Sequence, residues 1–70
     1  PTDVAFIADV GLTGELKKVP SLEGRVRELA RMGFRKVYVA KDSFAKGFKI
    51  EGIDIISLKT LNDVILNIYR

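Results

Sequence analysis

The chain has 70 residues, with 12 Lys and Arg against 9 Asp and Glu for a net charge of +3, and it contains neither Cys nor His. This composition excludes disulfides, Cys/His zinc sites, thiolate nucleophiles and imidazole bases, and leaves carboxylates, lysines, tyrosines and hydroxyls for any chemistry. A chain of this length forms at most one domain and buries only roughly 60% of its unfolded surface, so a neighbour or a homo-oligomer is expected to add stability. It opens on Pro1 rather than Met, and residues 1–70 read as a single subdomain of something longer. The longest apolar run, residues 4–8, is far short of the ~20 residues of a membrane span, and no signal-peptide pattern precedes it, so a cytoplasmic setting without membrane contact is expected.

Residues 4–8, Val-Ala-Phe-Ile-Ala, run into Asp9-Val10-Gly11 in the pattern of a strand covered on both faces. Gly11 and Gly14 bracket Leu12-Thr13, where a sharp reversal is cheap, so residues 15–19 should return as a short antiparallel strand. Ser21, after Pro20, is placed to cap a helix with Leu22, Val26, Leu29 and Gly33 on one face and Ala30 alongside. At 100° per residue Arg27, Arg31 and Arg35 project from the opposite side. That helix should end near Met32-Gly33 on a C-cap glycine, and residues 37–40 read as a second, buried strand. Residues 42–46 are expected to make one helical turn and residues 53–57 a third strand. Thr60 then caps a last helix with an apolar stripe of Leu61, Val64, Ile65 and Ile68, and Asp63 completes a capping box. The order predicts an α/β fold, a small mixed sheet with helices packed on it.

Charge placement says more than the total. Eight of the twelve basic residues lie between Lys17 and Lys41, against Glu23 and Glu28. Lys17, Lys18, Arg27, Arg31 and Arg35 are the candidate nucleic-acid-binding residues, able to neutralise backbone phosphates. Glu23 and Glu28 can pair with Arg27 and Arg31, and no aromatic side chains interleave on that helix for base stacking. The stripe therefore reads as a solvated face or subunit contact, the alternative being a weak, sequence-independent contact to a nucleic-acid backbone. Gly11-Leu-Thr-Gly14 lacks the spacing of a P-loop and the third glycine of a dinucleotide fingerprint, and reads as a hairpin turn. Ser21 with Lys17 or Lys18 would make a Ser/Lys dyad only if a lysine were desolvated, and Ser21 is accounted for as a cap. Asp3, Asp9 and Asp54, near strand ends, are accounted for as solvated or capping carboxylates rather than ligands of a hard cation. No catalytic residue and no metal ligand is assigned.

From Val10 onward, Val-Gly-Leu-Thr-Gly-Glu-Leu, then Val19, Leu22-Glu23, Arg25, Glu28, Ala30, Gly33-Phe34, the strand at 37–40 and Thr60-Leu61 resemble the C-terminal domain of the bacterial RadA/Sms DNA-repair family. Lys17, Ser21 and Ala40 depart from that family's usual Arg, Gln and Pro. The resemblance implies the C-terminal part of a fold like the proteolytic domain of Lon ATP-dependent proteases. Laid over Lon, with Gly14 and Gly33-Phe34 as anchors, the chain has Glu23 where Lon has its catalytic lysine and Pro20-Ser21 where Lon has Gly-Gly, while Lon's serine lies upstream of Pro1. The resemblance thus implies a non-catalytic scaffold for rings and DNA within an ATP-dependent repair and branch-migration protein. ATP and zinc belong to the family's other domains, and no cofactor is expected in this segment. The alternatives are a Lon-type serine peptidase domain and a stand-alone interaction module.

Overall fold

A computed structural model describes residues 3–69. In chain order the elements are β1 (Val4–Ile7), β2 (Asp9–Val10), β3 (Leu16–Lys17), α1 (Leu22–Arg31), β4 (Lys36–Ala40), β5 (Asp54–Leu58) and α2 (Leu61–Ile68). β1, β4 and β5 form a parallel sheet in the order β1-β4-β5, and β2 and β3 form a separate antiparallel ladder. The fold is the small mixed α/β arrangement that the residue pattern implies. β4 is central and its Val37, Tyr38, Val39 and Ala40 are all buried, as a β-branched and aromatic run covered on both faces should be.

Alternation along the strands divides the packing between two faces. On one face Ala5, Ile7, Val37, Val39 and Ile55 pack with Leu22 and Val26 of α1 and with Ile50 and Ile53 of the β4–β5 connection. Val26 is completely enclosed. On the other face the Tyr38 hydroxyl donates to Asn67 Oδ1 at 2.8 Å, tying α2 to the central strand beside the buried Val64.

Four local expectations are corrected. β1 is an edge strand with Phe6 39% exposed, not a strand covered on both faces. Ser21 occupies the N-cap position, but its backbone is left-handed (φ 58°, ψ 32°) and its side chain caps nothing. Its carbonyl, not its hydroxyl, serves the helix, accepting from the Arg25 amide at 3.3 Å. Residues 42–46 form turns instead of a helical turn, because Asp42 is itself left-handed (φ 65°). The rings of Phe44, within this stretch, and Phe48 stack at 4.6 Å and pack against the core. Finally, of the α2 apolar stripe only Val64 is buried, while Leu61, Ile65 and Ile68 remain exposed.

Candidate nucleic-acid interface

The hairpin carrying Lys17 and Lys18 is shaped by Glu15. Its carboxylate folds back over the turn, accepting from the Thr13 amide at 3.1 Å and from the Thr13 hydroxyl. The Gly11 amide donates to the Glu15 carbonyl at 2.8 Å, and Gly14 takes a positive φ of 86° to close the turn. A Cβ on Gly11 would meet the Glu15 carboxylate, so glycine there leaves room for the carboxylate to fold back over the turn. The Thr13 hydroxyl is the chief cause that holds the Glu15 carboxyl below the usual glutamate range, with backbone amides and the nearby Lys17 adding to it. The hairpin is also docked: the Leu16 amide donates to the Lys59 carbonyl at 2.7 Å and the Leu61 amide to the Gly14 carbonyl at 2.8 Å. These bonds fix Lys17 and Lys18 at the carboxyl ends of the parallel strands, beside the start of α2. Both lysines are exposed.

α1 then runs back from that end of the sheet. Its ten residues span about 15 Å, and Arg27 and Arg31 share its exposed side. Both have the acidic partners that the spacing indicates. Arg27 Nη2 lies 2.9 Å from Glu23 and Arg31 Nη2 lies 3.4 Å from Glu28, with all four side chains at least half exposed. Pairs of this exposure are worth a few tenths of a kcal/mol, so either arginine can exchange its partner for a phosphate at small cost. Arg25 is exposed and has no ionic partner among the described residues. It lies beside the β1 edge, on the flank of the helix.

Arg35 is not on the helix, contrary to the stripe that periodicity implies. Met32 is the C-cap; Gly33 has φ 96°, its amide donates to the Ala30 carbonyl at 3.1 Å, and the Phe34 amide donates to the Leu29 carbonyl at 3.0 Å. This is a Schellman reversal, with Phe34 and Leu29 both packed on the core. It carries Arg35 to the amino ends of the strands, where its amide donates to the Asp3 carbonyl and its carbonyl accepts from the Asp54 amide. Lys17 and Lys18 thus stand at one end of the sheet, Arg35 at the other, and Arg27 and Arg31 on the helix between them.

The remaining candidate groups do not assemble. Ser21, Lys17 and Lys18 are all exposed, so nothing desolvates a lysine to activate a hydroxyl. Asp3 and Asp54 border one concavity at the amino ends of the strands, whereas Asp9 belongs to the hairpin ladder at the opposite end. Glu23 is an exposed first-turn carboxylate engaged with Arg27.

No protein-family model matches the chain. No helix among the described residues is long and apolar enough to cross a membrane. Searched against curated proteins, the chain is 36% identical over 66 residues to the DNA repair protein RadA of Streptococcus pyogenes, covering 93% of this chain and 14% of that protein. It is 34% identical over 64 residues to RadA of Streptococcus pneumoniae, covering 91% of this chain and 15% of the relative. Against RadA of Bacillus subtilis it is 34% identical over 65 residues, covering 93% and 14%. The chain is therefore similar, over nine-tenths of its own length, to one segment of RadA that makes up about a seventh of that protein.

Proposed function

We propose that this chain is a RadA-type segment that serves DNA repair as a non-catalytic, DNA-contacting scaffold, built like the C-terminal part of a Lon-like domain. The similarity to RadA along nearly the whole chain carries this reading. The contact is electrostatic and sequence-independent. Lys17, Lys18, Arg27 and Arg31 supply it, with Arg35 extending it at the far end of α1, and no side-chain constellation for reading base edges accompanies them. ATP turnover, zinc binding and branch migration belong to the rest of a RadA-length protein, and this segment holds no cofactor. The same protein acts as a homo-oligomer in the cytoplasm. A Lon-type peptidase is the weaker reading, because a carboxylate at position 23 cannot provide the base that Lon's lysine provides.

The test is the double charge reversal Arg27→Glu with Arg31→Glu in the RadA-length protein, titrated with unrelated DNA sequences at several salt concentrations. Affinity should fall by similar factors for every sequence, and the slope of log K against log salt should become shallower by about 2, one contact for each arginine removed. Reversal leaves each new glutamate beside Glu23 or Glu28, at a helix cost of a few tenths of a kcal/mol, so melting temperature is measured alongside. Unchanged affinity and slope would make this face a solvated surface or subunit contact.

A further inference from the structure

Arg35, carried off the helix by the Gly33 reversal, borders a second basic feature. At the amino ends of the strands lies an open concavity of about 1410 Å³, lined in part by Arg35, Lys36, Phe48 and Lys49. Arg35 and Lys49 are exposed, Lys36 is half-buried, and none of the three forms an ion pair among the described residues. Phe48 is partly exposed. Its ring stacks on that of Phe44, 4.6 Å away and 13° from parallel, and both rings pack on the core. Phe48 therefore meets the concavity as a fixed wall rather than a free side chain. The sequence carries the same association: Lys41, Phe44, Lys46, Phe48 and Lys49 interleave cations with aromatics, the pattern that α1 lacks.

We propose that this concavity binds an unpaired stretch of single-stranded nucleic acid, with a base stacked on Phe48 and the flanking phosphates on Arg35, Lys36 and Lys49. Asp3, Glu51 and Asp54 border the same space and balance the three cations, so phosphate attraction alone does not hold a ligand there. A non-ionic contact has to add to it. Stacking on an aromatic ring strengthens binding by at least about fivefold per base and tolerates every base, because each has a π face. In a duplex those faces are already stacked on neighbouring bases, so Phe48 selects an unpaired strand. Size argues for a stretch of chain: small-molecule pockets enclose roughly 300–1,000 Å³, and this concavity is larger and open along its side. The inference deepens the DNA-contacting reading and rests on it, adding a single-strand site at the end of the sheet opposite Lys17 and Lys18.

The experiment irradiates the RadA-length protein with a single-stranded oligothymidylate carrying 5-iodouracil, which couples to aromatic side chains it stacks on, and maps the adducts by mass spectrometry. Phe48 should carry an adduct. Unlabelled single strand in about tenfold excess should cut that yield at least about fivefold, whereas a blunt duplex or thymidine monophosphate at the same nucleotide concentration should cut it less than about twofold. Arg35→Gln with Lys49→Gln, both at exposed positions, should lower the yield at least about threefold at subsaturating strand through lost phosphate contacts. No adduct at Phe48, competition by duplex or mononucleotide as strong as by single strand, or a yield unchanged in the double variant would each overturn the proposal. Loss of the Arg27 and Arg31 contact is read in the titration with those charges reversed and leaves this crosslink unchanged, so the two readings fail distinguishably.

Discussion

Glu15 organises its turn through a side chain that never leaves the surface. Its carboxyl is lowered chiefly by the Thr13 hydroxyl, then by its own and the Thr13 backbone amides and by Lys17. A carboxyl with a folded value below its unfolded one favours the closed turn fully above the unfolded value, and that contribution is lost as pH falls through the folded value. The Thr13 amide reports the event directly, because it donates to the carboxylate. In an NMR titration its shift should move with a midpoint below the ordinary glutamate value of about 4.3. Gly11→Ala should push the flexible carboxylate off Thr13 and bring the midpoint back up while the fold persists. A Thr13 midpoint at or above the ordinary value in the unaltered chain would show that the turn is not closed by Glu15.

At the scale of elements, the two helices begin in different ways although both have a hydroxyl residue at the N-cap. Thr60 is extended (φ −135°, ψ 159°), its Oγ1 accepts from the Asp63 amide at 3.1 Å, and its own amide donates to Asp63 Oδ2 at 3.2 Å. Ser21 is left-handed and its hydroxyl is idle. Thr60→Ala should therefore cost about 1 kcal/mol, a drop of roughly 4–8 °C in melting temperature for a domain of this size, whereas Ser21→Gly should be neutral or slightly stabilising at its positive φ. Equal losses on thermal unfolding would refute the distinction. The same pair shows what is legible in the sequence. Thr-x-x-Asp is a local signal that specifies its own geometry, as does Gly33-Phe34 in closing α1 and the Val-Tyr-Val-Ala run in placing β4. Ser21 is a residue type that fits a cap, but its left-handed backbone (φ 58°) leaves its side chain capping nothing, and residue type alone does not report that angle. Arg35 departs from the helical stripe because the helix ends at the Gly33 reversal before it. Of the proposed interface, the pairing of Arg27 and Arg31 with their glutamates was readable from spacing. The docking of the hairpin on Lys59 and Leu61, which fixes where Lys17 and Lys18 stand, joins residues more than 40 positions apart and has no local signature.

For the whole molecule, the rotation of α2 leaves a surface that the small fold cannot cover. Thr60, Asp63, Val64 and Asn67 turn toward the sheet at helical spacing, with Val64 buried and Asn67 held by Tyr38. The apolar residues Leu61, Ile65, Ile68 and Tyr69 form a second stripe about 100° around the helix, exposed by 38%, 45%, 46% and 82%. A contiguous apolar stripe of this kind on a short helix drives association when no neighbour covers it. The 70-residue chain should therefore sediment as a concentration-dependent self-associating species. Ile65→Lys together with Ile68→Lys should shift it toward monomer at a stability cost within about 1 kcal/mol, as expected for two largely exposed positions. Phe6→Lys, which charges the β1 edge instead, separates the two surfaces: it should leave association by α2 intact. A wild-type chain that stays monomeric across a wide concentration range, or an α2 double variant that associates as strongly as the wild type, would remove α2 as a self-association surface.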